Sequence, residues 1–142
     1  MKLNYFKSVV SKEHHREYLF PTFRICRIIS GTFDWQIGTQ SYPFKPNDIV
    51  LLNNLTPRMI ISKDQEAVQL DVFEFSPLEI QARPKLVAAF YNTNPYIANA
   101  DNALLINGLL SNIAKAYSVV NNPDFFNHAM QAVFDLIQDE FC

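Results

Sequence analysis

The chain has 142 residues, 49% of them hydrophobic and 18% charged, with a formal net charge of −2 and a pI of about 5.9. That is material for one domain with a core of its own, and it excludes a disordered segment. An acidic balance leaves no basic surplus for gripping nucleic acid, and no apolar run approaches the roughly 18 residues of a membrane span.

The first residues, MKLNYFKSVV, lack the apolar segment and small-residue cleavage site of a secretory signal. Cys26 and Cys142 are the only cysteines, too few and too far apart for a disulfide framework or a zinc site. The expectation is a cytoplasmic protein with no membrane contact. Residues 1–15 mix a few apolar side chains with Lys, Ser and His and read as an N-terminal arm with at most a short strand. His14 and His15 would point to opposite faces of a strand, so they do not readily share one ion.

From Phe23 the pattern becomes β. In Phe23–Ser30, Arg24, Cys26, Ile28 and Ser30 share one face, and Phe23, Ile25, Arg27 and Ile29 share the other. Both faces are largely apolar, as expected for a strand covered on both sides. Gly31 permits a bend or bulge. Further strands are expected at 32–37, 41–44, 49–52, 58–62 and 68–75. Between them lie the turn residues Gly38-Thr39, Lys45–Asp48, Asn53–Pro57 and Lys63–Ala67. Short strands with turns at regular spacing predict a sandwich or barrel.

The pattern changes at Ser76-Pro77-Leu78-Glu79, a helix-start signature with serine as cap, proline at the first position and glutamate placed to close a capping box. Arg83-Pro84 interrupts the short helix, and another turn or two is expected over 85–91. Two longer amphipathic helices follow, about 101–120 and 123–141, separated by Asn121-Asn122-Pro123-Asp124, which predicts an antiparallel pair. Their apolar stripes run through Leu105, Leu109, Ile113 and Tyr117, then Phe126, Met130, Val133 and Ile137. This apolar material is either one broad core face or a core face plus a dimer contact.

Five features in order carry a resemblance: Ile29-Ser30-Gly31, the alternation Phe33 to Ile37, Lys45-Pro46-Asn47-Asp48, the apolar Ile49–Leu52, and Thr56-Pro57-Arg58. Phe73-Glu74-Phe75-Ser76-Pro77 and the helix pair extend it. Together these resemble the cupin-type N-terminal domain of AraC-family transcription regulators. The resemblance implies a mainly β fold, a small antiparallel cupin-like β-barrel of jelly-roll type (16–76) followed by a helical part (77–142). All of 1–142 is then a single domain. It further implies a small-molecule effector, a homodimer through the C-terminal helices, and a DNA-binding helix-turn-helix domain after residue 142.

Two departures from that pattern matter. Asn47 stands where the turn glycine is expected, and asparagine also tolerates the left-handed conformation. Arg58 stands where metal-binding cupins have a histidine. The glutamate ligand position falls on Arg24, and the remaining histidines would fall near Tyr18 to Phe20. A guanidinium offers no lone pair, so no metal or other cofactor is expected, and the chain is not read as an enzyme.

The ligand-binding candidates implied for the barrel interior are Arg16, Arg24, Trp35, Tyr42, Arg58 and Glu74. Arg24 and Arg58 would bind an anion through charge-assisted hydrogen bonds, unless they pair internally with Glu74, Asp71 or Glu17. Trp35 and Tyr42 would stack on a ligand, or serve as plain packing. The competing functions are a stand-alone cupin enzyme and a stand-alone small-molecule-binding protein. No nucleophile–base arrangement or phosphate loop favours the enzyme.

Overall fold

Alternating apolar side chains need two layers to bury both faces of a strand, and the chain supplies them as a second sheet and a helical layer. In a computed structural model, residues 2–10, 14–17, 21–62, 67–92, 97 and 100–140 are described, with backbone alone at 14–17, 62 and 100. The strands are β1 (Asn4–Val10), β2 (His14–Glu17), β3 (Phe23–Ser30), β4 (Phe33–Ile37), β5 (Gln40–Phe44), β6 (Ile49–Leu52), β7 (Arg58–Ser62) and β8 (Val68–Phe75). They form two antiparallel four-stranded sheets, ordered β1-β8-β3-β6 and β2-β7-β4-β5. Among the described residues no strand pairing joins the two, so the barrel is two facing sheets in the cupin-like arrangement. A short 3-10 helix (Pro77–Ile80) and helices α1 (Pro84–Phe90), α2 (Ala100–Ala116) and α3 (Pro123–Glu140) follow.

The first sheet is apolar on both faces. Inside, Cys26, Ile28, Val50, Leu52, Val68, Leu70 and Val72 meet Phe33, Trp35, Phe44 and Ile60 of the second sheet. Outside, Phe23, Ile25, Ile49, Leu51, Phe73 and Phe75 meet the helices through Leu86, Phe90, Ile106, Leu110, Phe134 and Ile137. Asn102 Nδ2 donates to Glu140 Oε2 at 3.2 Å, bringing the start of α2 to the end of α3 and fixing the pair as antiparallel.

Several local expectations meet their geometry. The pairing of β3 with β8 shifts between Ile28 and Ser30, just before Gly31. Gly31 has φ +95, and a Cβ there would lie 3.1 Å from Val68 Cα. Asn47 adopts φ 75, so the turn survives without glycine. Ser76 accepts from the Leu78 amide at 3.2 Å as a cap. Glu79 instead accepts from the backbone amide of Lys2 at 3.2 Å. The capping box therefore stays open, and its glutamate ties down the chain's start.

The largest difference is at the N-terminus. The expected arm is the full-length strand β1, paired with β8 from Asn4↔Glu74 to Val10↔Val68. Its side chains explain why: Phe6 and Val10 join the inner core, while Tyr5 faces outward against Phe73 and Tyr117 at ring distances of 5.1 and 5.5 Å. The Tyr5 hydroxyl donates to Asp71 Oδ1 at 2.6 Å, and Arg27 Nη1 meets Asp71 Oδ2 at the same distance. Arg27 Nε donates to Asn107 Oδ1 of α2 at 3.0 Å, so this buried polar group ties β1, β3 and β8 to the helices. Burial and the Asp71 carboxylate push the Tyr5 hydroxyl pKa above its ordinary value.

Candidate ligand site at the open end of the barrel

The antiparallel registers gather the polar inner residues at one end. Arg24 lies opposite Leu52 on β6 and opposite Glu74 on β8, and Glu74 lies opposite Asn4 on β1. In the other sheet Arg58 lies opposite Ile37 of β4 and Glu17 of β2. The far end is closed by Val10, Phe33, Phe44 and Val68, none more than 4% exposed.

The sequence leaves two alternatives for Arg24 and Arg58, one shared anion or internal pairing, and for Arg24 the structure shows an internal partner. Arg24 pairs with Glu74: its Nε donates to Oε2 at 2.8 Å, and Nη2 lies 2.8 Å from the same oxygen. Asn4 Nδ2 donates to the other carboxylate oxygen at 3.3 Å, and the Arg24 guanidinium lies over the Phe6 ring at 5.4 Å. This is the internal-pairing alternative, and it follows from their cross-strand register, which the sequence does not display.

Arg58 goes elsewhere. Its residue is 4% exposed, and its Nη1 donates to the Asn53 carbonyl at 3.0 Å. It lines a cavity of about 240 Å³ together with Ile37, Gly38, Thr39, Gln40, Tyr42, Leu51, Leu52, Asn53, Thr56, Phe90, Tyr91 and Asn92. Arg58 is the one cationic side chain among these residues. Thr39, Gln40, Thr56 and Asn92 add hydroxyl and amide groups to the lining, and Ile37, Leu52 and Phe90 an apolar part. That combination suits a small amphipathic anion.

The cavity walls are tied together locally. The Asn53 side-chain oxygen accepts from the amides of Leu55 and Thr56, both at 2.9 Å, folding the 53–57 loop as an Asx turn. Its Nδ2 donates to the Phe90 carbonyl at 3.1 Å, holding the end of α1 over the opening. The Tyr91 hydroxyl donates to Asn54 Oδ1 at 2.6 Å, and Phe23 stacks on Phe90 at 4.6 Å. The Gly38 amide donates to the Pro57 carbonyl at 2.8 Å, joining the β4–β5 hairpin to the same loop.

The other candidates divide. Tyr42 is half-buried and lines the cavity. Trp35 is fully buried, enclosed by Phe33 and Phe44 at 5.8 Å each, so its ring has no face to offer a ligand. Its indole nitrogen has no hydrogen-bond acceptor among the described residues, a deficit of about 1–3 kcal/mol. Arg16 lies opposite Met59 in β2, and its side chain is outside the described residues. Asn53, Thr56, Phe90, Tyr91 and Asn92 escape a sequence reading. Only Asn53, an asparagine opening a loop, carries a local signal; the helical roof depends on long-range packing.

The cupin metal positions do not fit a metal here. The glutamate position is Arg24, already paired with Glu74, and the histidine position is Arg58. Neither offers a lone pair. Among the described residues no group of three or more His, Cys, Asp or Glu side chains is placed to hold an ion.

The expected dimer residues also divide. Ile113, Met130, Val133 and Ile137 are at most 1% exposed and belong to the chain's own core, so they present nothing to a partner. Leu105 is 55% exposed beside Leu104 at 73%, and Leu109 is half-buried. Tyr117 and Phe126 line a second, shallower cavity of about 400 Å³ with Lys2 and Leu3.

Neither a protein-family model nor the sequence of a curated protein matches the chain. Solved structures do match. The AraC-like transcriptional activator CuxR superposes with a TM-score of 0.64 at 12% identity, over 84% of this chain and 41% of CuxR. ToxT from Vibrio cholerae superposes with a TM-score of 0.65 at 12% identity, over 99% of this chain and 58% of ToxT. The chain shares its fold with the matching parts of CuxR and ToxT. A second ToxT structure, bound to (E)-4-(8-methylnaphthalen-1-yl)but-3-enoic acid, gives 0.63 at 15% identity over the same shares of the two chains. The chain thus spans only about half the length of these proteins. Among the described residues no helix is long and apolar enough to cross a membrane.

Proposed function

We propose that the chain is the effector-sensing module of a cytoplasmic AraC-type transcription regulator, and that it takes a small anionic, partly apolar molecule at the open end of the barrel. The observation that carries this reading is Arg58, buried in the wall of the 240 Å³ cavity as the one cationic side chain among its lining residues. A guanidinium held in place by the Asn53 carbonyl is ordered before a ligand arrives, so little rotamer freedom is lost on binding. The likeness to ToxT supports a carboxylic acid, since that protein has been solved with one bound. In this reading DNA contact belongs to a further domain, as befits an acidic chain. The roof formed by Phe90 and Tyr91 gives a ligand a direct hold on α1 and so on the helical layer. Only unequal affinity for two poses of that layer would make the hold a switch.

Calorimetric titration of the chain with hexanoate tests the site. Arg58→Gln is expected to weaken binding by about tenfold or more, the loss of a charge-assisted hydrogen bond. Arg83→Gln, on the helical layer where Arg83 pairs with Asp135, is expected to leave affinity unchanged. Equal affinity in wild type and Arg58→Gln would contradict the reading. The homodimer would use the exposed strip of α2 around Leu104, Leu105 and the open Gly108. Sedimentation would show Leu105→Arg shifting a dimer to monomer, and a wild-type monomer at all concentrations would remove this part.

A further inference from the structure

Trp35, the only tryptophan, brings to the barrel core a polar group that packing does not require. A phenylalanine would fill much of the same space between Phe33 and Phe44 without burying an N–H that has no acceptor among the described residues. Its place relative to the cavity follows from the registers. Phe33, Trp35 and Ile37 are the inward residues of β4, and Ile37 lines the cavity. Tyr42, directly opposite Trp35 on β5, lines it too. On the other side β7 sets Ile60 opposite Trp35 and Arg58 opposite Ile37. The indole therefore stands two residues along the strand from the Arg58 level, a step of about 7 Å. Tyr42, its half-buried cross-strand neighbour, is the contact that links the indole to the cavity lining.

We infer that the ligand has two polar groups. An anionic group meets Arg58. A second hydrogen-bond acceptor, a carbonyl or hydroxyl oxygen about 7 Å away across an apolar spacer, accepts a hydrogen bond from the Trp35 indole N–H beside Tyr42. This rests on the reading of the Arg58 cavity as an anion site, and narrows its ligand to oxo- or hydroxy-substituted carboxylic acids or molecules of that shape. Ile37 and Leu52, both in the cavity lining and both packed with the core that holds Trp35, give the spacer apolar neighbours. A site that satisfies a buried donor only with the right ligand rejects the analogue lacking the acceptor far better than an apolar pocket rejects a missing methylene.

A single tryptophan gives a single indole cross-peak, so nitrogen–proton NMR of the intact chain reads this contact directly. The probes are hexanoate and 5-oxohexanoate, which share a chain and differ by one ketone. Both are expected to shift the backbone amides of Thr56 and Arg58. Only 5-oxohexanoate is expected to move the indole proton downfield, and it should bind about tenfold more tightly. Trp35→Phe is expected to collapse that preference towards one. An unmoved indole signal while both acids shift the Arg58 amides would overturn the two-point ligand and leave the anion site standing. Amides unmoved by either acid would bring down both. The wild-type indole signal decides without any variant, so a poorly folding Trp35→Phe does not obscure the answer.

Discussion

The two ends of the barrel are made from the same two sheets and have opposite chemistry. At the closed end Val10, Phe33, Phe44 and Val68 pack together, and the backbone of Gly31 presses against Val68. At the open end the inner positions of β3, β8 and β7 carry Arg24, Glu74 and Arg58, and a cavity runs under the end of α1. Charges are tolerable there because each finds a partner at the rim: a carboxylate for Arg24, a loop carbonyl for Arg58. The closed end holds the sandwich together, and the open end is where we propose that a ligand binds. Pairing Arg24 with Glu74 also leaves Arg58 as the cavity's cation, which makes the site single-headed at its entrance.

That contrast predicts a separation of effects. Phe44→Ala at the closed end should cost about 3–5 kcal/mol of stability, measured by denaturant unfolding, because it opens a cavity among packed aromatic rings. Gly31→Ala should cost about 1–3 kcal/mol, since φ +95 and the approach to Val68 both oppose a Cβ. Arg58→Gln should cost less stability than Phe44→Ala, since it opens no comparable cavity and the glutamine amide can still donate to the Asn53 carbonyl, while removing most anion affinity. If Arg58→Gln unfolds the chain as Phe44→Ala does, the two ends are not functionally distinct.

The outer face gives a smaller, pH-dependent effect. The folded Tyr5 hydroxyl titrates above its unfolded value, so its contribution is fully present below the ordinary tyrosine pKa of about 10 and is lost as pH rises past it. Tyr5→Phe should therefore flatten the alkaline loss of stability. An unchanged alkaline profile would show that this hydroxyl carries none of it.

Much of the barrel is legible in the residue pattern. β3, β6, β7 and β8 lie where alternation and turn residues put them, because each is bounded by its own turn chemistry. Asn47 keeps the turn through its tolerance of positive φ. β1 is not legible, because its short apolar–polar mixture becomes a strand only when β8 is there to pair with it. The site is legible only in part for the same reason. Arg58 stands out as a guanidinium where a histidine is expected, and Tyr42 as an aromatic on a hairpin. The Arg24–Glu74 pair depends on register, the roof of Phe90 and Tyr91 on tertiary packing, and the enclosure of Trp35 on three aromatic side chains meeting across β4 and β5.

The central claim is that the open end of the barrel is an anion site, and an amide chemical-shift map of the chain titrated with hexanoate tests it most directly. The shifts are predicted to concentrate on Gly38, Thr39, Thr56, Arg58, Tyr91 and Asn92, and to leave Gly31, Phe44 and Val68 unmoved. Shifts centred on the closed end, or none around Arg58, would contradict it.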